Sequence, residues 1–291
     1  MSSEKARAGV FLVVFSDLDG TLLDHDTYRF DEAENALRVL RRKRFPLVLV
    51  SSKTRGELEE WRSTLQTSAP FIVENGGAIF IPRGVFAFEI ENAHDVGEFR
   101  VVELGMRYEK LIEAFDTLRK RTGLPLRGFH EMSVEEVVSL TNLSREQAGE
   151  AMKREYSEPF VLLADDRNIL DLRAVAYQFG LQITTGGRFH HLMGGNDKGK
   201  AVRIVEGFFE REHSNREILT VGIGDGPNDI PMLNVVAYPI VVQQPDGSYL
   251  HAPLPPHTLF AKGQGPAGWA EGVSQVIQKI DLARNVLKAS D

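Results

Sequence analysis

The chain contains no cysteine in 291 residues, which excludes a disulfide framework, a thiolate metal site and a cysteine nucleophile. It also lacks any apolar run approaching the roughly 18–20 residues that a membrane helix requires. Basic residues are not in excess: 34 Lys and Arg stand against 41 Asp and Glu, a formal charge of −7. That balance argues against broad nucleic-acid or membrane-surface binding. One local exception, Arg41-Arg42-Lys43-Arg44, reads as the solvated end of a helix, where cations complement the dipole. The N-terminal apolar run leads into Asp17 rather than a small-residue cleavage site, so a cytoplasmic protein is the expectation. No repeat or low-complexity segment interrupts the chain.

What is present is ordinary globular material, 42% hydrophobic and 26% charged, in a chain whose length suits two domains. Buried-type strands are expected at 10–16, 46–50, 71–73, 218–223 and 235–242. Helices are expected at 31–44, 56–66, 198–212 and 228–234. Continuous apolar strands alternating with helices imply a parallel sheet covered on both faces. Between the two halves the pattern changes. Pro82-Arg83-Gly84 between short apolar runs reads as a hairpin over 78–90. Strands at 100–104, 125–129, 160–163, 181–185 and 188–193 then mix with helices at 107–121, 133–140, 144–154 and 166–179. The expected architecture is therefore α/β: a Rossmann-like core of residues 1–82 and 192–291, with an inserted α+β domain over 83–191.

Ligands of an open α/β sheet bind beyond the carboxyl ends of its strands, and four groups fall there. The first is Asp17-Leu18-Asp19-Gly20-Thr21, directly after the apolar run Val10–Val14. Asp17 is the candidate nucleophile, because a carboxylate can form an acyl-phosphate that water then cleaves. Asp19 is the candidate general acid–base. The second is Ser51-Ser52-Lys53, where hydroxyl and backbone N–H groups suit phosphate oxygens; Ser52 or Thr54 also suits a helix N-cap. Lys53 and Arg55 add positive potential nearby. Lys198 is the third, a charge that neutralises a transferring phosphoryl group. The fourth is Gly224-Asp225-Gly226-Pro227-Asn228-Asp229, in which Asp225 is a candidate Mg²⁺ ligand with Asn228 and Asp229 in support. Gly194–Ala201 nearly matches a nucleotide-binding loop but ends on Ala201, which lacks the hydroxyl that such a loop places on Mg²⁺.

The order Asp17-x-Asp19-Gly-Thr, Ser51, Lys198 and Gly-Asp225-Gly-x-Asn-Asp229 resembles that of the haloacid dehalogenase-like phosphotransferases. The insertion resembles the type-II cap of their Cof-like branch. The resemblance covers the chain from about residue 10. It implies Asp17 as nucleophile, Asp19 as acid–base, Ser51 as phosphate-binding hydroxyl, and Asp225 and a backbone carbonyl of Asp19 beside Asp17 on the metal. Gly128–Ser133, Arg154–Phe160 and Gly187–Leu192, with Ser51–Arg55 in place of the Thr-Gly-Arg common in Cof-like enzymes, are similar to the mannosyl-3-phosphoglycerate phosphatases, which make the compatible solute mannosylglycerate. This implies a small phosphorylated sugar-glycerate as partner. Lys53, Arg55 and Arg188 are candidates for its anionic groups, and Asn75, Glu155, Ser157, Glu158 and His190 for the rest. A monomer or homodimer is expected. A sugar phosphomutase of the same superfamily is the near alternative. A phosphoacceptor signalling domain is the remote one, and the acid two residues after Asp17 together with the large insertion speaks against it.

Overall fold

A computed structural model describes residues 9–141, 143–163, 168–186 and 189–289. In chain order the first elements are β1 (Val10–Ser16), α1 (Glu34–Lys43), β2 (Leu47–Val50), α2 (Arg55–Thr64), β3 (Phe71–Val73), β4 (Ala78–Pro82), β5 (His94–Val96) and β6 (Phe99–Glu103). There follow α3 (Tyr108–Thr122), β7 (Leu126–Gly128), α4 (Val134–Thr141), α5 (Arg145–Ala151), β8 (Ser157–Leu162), α6 (Asn168–Gln178), β9 (Gln182–Gly186) and β10 (Phe189–Met193). The chain continues through α7 (Lys198–Glu212), β11 (Glu217–Gly224), α8 (Ile230–Leu233), β12 (Tyr238–Gln243), β13 (Leu259–Gln264) and α9 (Gly265–Ala289). No helix among the described residues is long and apolar enough to cross a membrane.

The chain divides into two compact units: residues up to Val48 with Glu206–Asp225 and everything from Asp229 on, and Leu49–Val205 with Gly226–Asn228. In the first unit β1 runs parallel to β11, β11 to β12 and β12 to β13. From Phe11 to Ser16 every residue of β1 is buried, the signature of a strand covered on both faces. Helix α1 turns Ala36, Leu37 and Leu40 inward and ends on Arg44 in the left-handed conformation, with its basic residues in the last turn as expected from the dipole. Helix α9 packs on β12, β13 and α1, and its Trp269 is wholly buried.

In the second unit the end of β2 pairs in parallel with β3, while β3–β4, β4–β6 and β5–β6 are antiparallel. A separate antiparallel sheet runs β7-β8-β10-β9. Helices α3 and α6 supply Leu111, Phe115 and Leu172 to a core shared with Phe160, Ile183 and Leu192 from that sheet. A smaller cluster of Phe129, Met132, Val137 and Ala148 closes the region around α4 and α5.

The expected hairpin at 78–90 is not what forms. The turn is real, with Gly84 at φ +82° and Val85 N–H on the Pro82 carbonyl. However, β4 takes its partner from β6, Ala78 opposite Glu103 and Pro82 opposite Phe99, and the pair closes where Arg83 N–H meets the Glu98 carbonyl. A turn signal fixes where the chain bends but not which strand it pairs with. Val101 and Val102 offer β4 a buried partner, and the intervening segment folds out with Phe86 stacked on Phe88. The strand expected at 235–242 is β12, which begins at Tyr238 rather than Val235, since Val235 is still tied to α8 through the Met232 carbonyl. The N-cap of α2 is Thr54, in a reciprocal capping box with Glu57. Its hydroxyl also donates to the Glu150 carbonyl, which joins α2 to α5. Thr54→Ala is expected to cost about 1–2 kcal/mol in chemical unfolding, the loss of one cap and one buried hydrogen bond; an unchanged midpoint would mean that the cap contributes nothing.

Candidate active site

In the first unit the relevant side chains sit at the C-terminal ends of neighbouring strands. Asp17 follows β1 and its N–H donates to the Ile223 carbonyl of β11 at 3.0 Å. The chain then turns back: Thr21 and Leu23 both donate to the Leu18 carbonyl, and Asp19 forms an isolated bridge with Leu23. Gly20 has φ +74°, and a Cβ there would lie 2.8 Å from Asp225 Oδ2. Both the backbone conformation and the space therefore require glycine. Thr21 Oγ1 donates to Asp225 Oδ1 at 2.8 Å, and Gln244 Nε2 to the Asp225 carbonyl at 3.0 Å. Asp229 Oδ2 accepts from Asp225 N–H at 3.1 Å. Gly224 makes room for it, since a Cβ there would sit 2.4 Å from Asp229 Cγ.

Asp17, Asp225 and Asp229 each offer one carboxylate oxygen to a group whose atoms all lie within 4.8 Å of one another. Asp17 and Asp229 are buried. Like charges held this close repel strongly in a low-dielectric setting, and a divalent cation relieves that repulsion. An all-oxygen donor set suits a hard cation such as Mg²⁺, so these residues fit the group that the sequence implies. Asp229, read from the sequence as a supporting residue, is the third member of the cluster.

The second unit carries the other candidates. Ser51 is fully buried after β2; its N–H donates to the Ile72 carbonyl, its own carbonyl accepts from Asn75 N–H, and its Oγ accepts from Lys53 N–H. Lys198 opens α7 and is 1% exposed. Lys53 and Arg55 form ion pairs one turn along α2, with Glu57 at 3.6 Å and Glu59 at 3.0 Å. Asn75 accepts from Asn228 Nδ2 through Oδ1, and from Asn196 Nδ2 through its carbonyl.

The partners of the buried acids in this unit were not legible in the sequence. Glu74, at φ +47° and fully buried, accepts from Glu155 N–H, Tyr156 N–H and Ser157 Oγ. Burial pushes its carboxyl up, opposed first by the nearby Arg154 guanidinium and then by these donors. Arg154 in turn donates to the Ser52 carbonyl at 2.7 Å. Glu158, also fully buried, accepts from Tyr108 OH at 2.6 Å and from His130 through both its N–H and Nδ1. Glu155 is half-buried and its carboxyl is pushed up by that burial. His190 pairs with Thr185, while strand alternation turns His191 to the other, buried face. Arg188 lies outside the described residues.

The haloacid dehalogenase-like hydrolase family matches residues 14–92. Over 267 residues the chain is 41% identical to a glucosyl-3-phosphoglycerate/mannosyl-3-phosphoglycerate phosphatase of Methanococcoides burtonii, covering 92% of this chain and 97% of that one. The chain belongs to the haloacid dehalogenase-like hydrolases. A second phosphatase with the same description, from Persephonella marina, is 40% identical over 93% of this chain and 98% of its own length. A solved structure from Thermoplasma acidophilum shares the fold at a TM-score of 0.62 and 20% identity, over 94% of this chain and 99% of that one. This haloacid dehalogenase-like hydrolase is a phosphoric monoester hydrolase.

One buried group in the hydrolase gives a pH signature. His191 is pushed down to about 3 from the ordinary 6.5, first by burial and then by Arg154 and His190. It therefore stays neutral in the fold while the unfolded chain binds its proton below about pH 6.5. The stability that neutral His191 supports is complete above that pH and is lost as pH falls toward 3. Between pH 6 and pH 5 the wild type should lose about 1.2 kcal/mol more than His191→Gln in urea unfolding. Parallel pH profiles for the two proteins would contradict the assignment.

Proposed function

We propose that this hydrolase removes the phosphate from mannosyl-3-phosphoglycerate, releasing mannosylglycerate and inorganic phosphate, through a phosphorylated Asp17. The observation that carries the reading is the convergence of Asp17 with Asp225 and Asp229 within 4.8 Å at the ends of adjacent parallel strands. Relatives at 40–41% identity named for glucosyl- and mannosyl-3-phosphoglycerate support the substrate class, with the glucosyl compound as the second candidate.

Asp17 would attack phosphorus, forming a phosphorus–oxygen bond to its carboxylate as the bond to the glycerate oxygen breaks. Asp19 gives that leaving oxygen its proton. Asp19 then takes a proton from water as the water oxygen attacks phosphorus, which frees Asp17 and inorganic phosphate. Ser51 and Ser52 are proposed to hold the phosphoryl oxygens, and Lys198 to balance their charge. Asp17, Asp225 and Asp229, with the Asp19 carbonyl, would hold Mg²⁺, whose positive charge stabilises the transferring phosphoryl group when bound.

Residues 83–191 act as the specificity cap of a 1–82 and 192–291 core in this reading. Lys53, Arg55 and Arg188 are the proposed partners of the substrate's anionic groups, and Asn75, Glu155, Ser157, Glu158 and His190 those of the remainder. Buried Asn75 Nδ2 and Asn196 Oδ1, which have no hydrogen-bond partner, support a polar ligand in this region. The enzyme is proposed to work in the cytoplasm as a monomer or homodimer.

Phosphate release from mannosyl-3-phosphoglycerate tests the reading. EDTA should abolish it and added Mg²⁺ restore it, while Asp17→Asn should lower kcat at least about a thousandfold. A fully active Asp17→Asn protein would sink the mechanism. Conversion of hexose 6-phosphate to 1-phosphate without phosphate release would identify a mutase instead.

A further inference from the structure

The mechanism assigns a task to the Asp17 side chain but none to the groups that fix its backbone. Asp17 is the first residue beyond β1, a position where a strand end normally loosens as its ladder stops. Here the backbone is held on both sides. The Asp17 N–H is bonded to the Ile223 carbonyl of β11, and the Asp17 carbonyl accepts from Ser16 Oγ at 2.6 Å. Ser16 is fully buried, and its Oγ is itself oriented: it accepts from Trp269 Nε1 at 2.9 Å. An indole N–H can only donate, so the Ser16 hydroxyl hydrogen is left to point at the Asp17 carbonyl. The direction of the chain, Trp269 to Ser16 to Asp17, is thus set by the indole, which can only donate.

The position of Trp269 is equally constrained. Helix α9 lies flush on the sheet because Gly268 and Gly272 face it: a Cβ at Gly268 would fall 2.1 Å from the Gly263 carbonyl oxygen, and one at Gly272 2.7 Å from Ile240 Cγ2. The helix also begins beside the loop that Asp17 opens, since a Cβ at Gly265 would lie 3.7 Å from the Gly20 carbonyl oxygen. The glycine face therefore delivers the indole, wholly buried, to a hydroxyl that donates to the Asp17 carbonyl.

We propose that Trp269 and Ser16 are positioning residues for Asp17: they fix the carbonyl of the nucleophile so that its carboxylate stands ready for in-line attack. Phosphoryl transfer depends chiefly on positioning and electrostatics, and misplacement of a reacting group by about 1 Å can cost about a hundredfold in rate. The inference rests on reading Asp17 as the nucleophile.

Trp269→Phe removes the indole N–H and keeps an aromatic ring; Ser16→Ala removes the hydroxyl with little loss of volume. Each is expected to lower kcat for mannosyl-3-phosphoglycerate about tenfold with KM changed less than twofold, a loss of positioning rather than of substrate binding. The double variant should be no slower than the slower single one, because both interrupt one chain. Thermal melting and near-ultraviolet circular dichroism establish that each variant is folded. If Trp269→Phe does not fold, Ser16→Ala alone decides. Unchanged kcat in folded Ser16→Ala, or multiplicative losses in the double variant, would overturn the proposal. An inactive wild type would instead count against the substrate reading.

Discussion

Three carboxylates brought within 4.8 Å of each other are the constraint around which the first unit is built. Their mutual repulsion would drive them apart on any flexible support, so each is set on a strand end or the turn beyond it and restrained by neutral donors. Thr21 and Gln244 grip Asp225 by its carboxylate and its carbonyl, while the Asp225 N–H turns to Asp229. Glycine appears where these chains must approach closely, at Gly20 against Asp225 and at Gly224 against Asp229. The loop sequences read as flexible turns, yet their glycines serve crowding.

The second unit solves a related problem with single buried acids in place of a cluster. Glu74 takes three donors from the segment that leads into β8, and Arg154, from the same segment, reaches back to Ser52. The loop after β2, the loop after β3 and the start of β8 are thereby tied into one polar knot. Removing one donor would leave a buried carboxyl oxygen without a hydrogen bond, which costs more than a surface pair returns. Glu158 repeats the pattern with Tyr108 and His130.

Much of this was legible in the chain. β1, β2, β3 and β11 announce themselves as apolar runs because both their faces are covered, and Asp17 and Asp225 stand out because each closely follows such a run, with Asp229 four residues beyond Asp225. Partners distant in sequence leave no such mark. Glu74 and Tyr156 are 82 residues apart, and nothing near either one reveals the bond. The hairpin was misread for the same reason, since Pro82-Arg83-Gly84 encodes a bend but not a pairing. β13 and α9 escaped notice entirely: Phe260 is exposed on the edge strand, and Gly265-Pro266-Ala267-Gly268 looks like a helix breaker although two glycines of that helix are what let it lie against the sheet.

The pairing of β1 with β11 and the bond from Trp269 to Ser16 also set an order of events during synthesis. The Thr21–Asp225 contact spans 204 residues and the Ser16–Trp269 contact 253. Strand β1 leaves the ribosome early as a bare apolar ribbon, and none of the next hundred residues supplies its β11 neighbour. The second unit, most of which lies within Leu49–Val205, can condense while that ribbon waits. The first unit closes only when the segment carrying β11 through α9 arrives, so Asp17 is among the earliest residues made and among the last to be set in place.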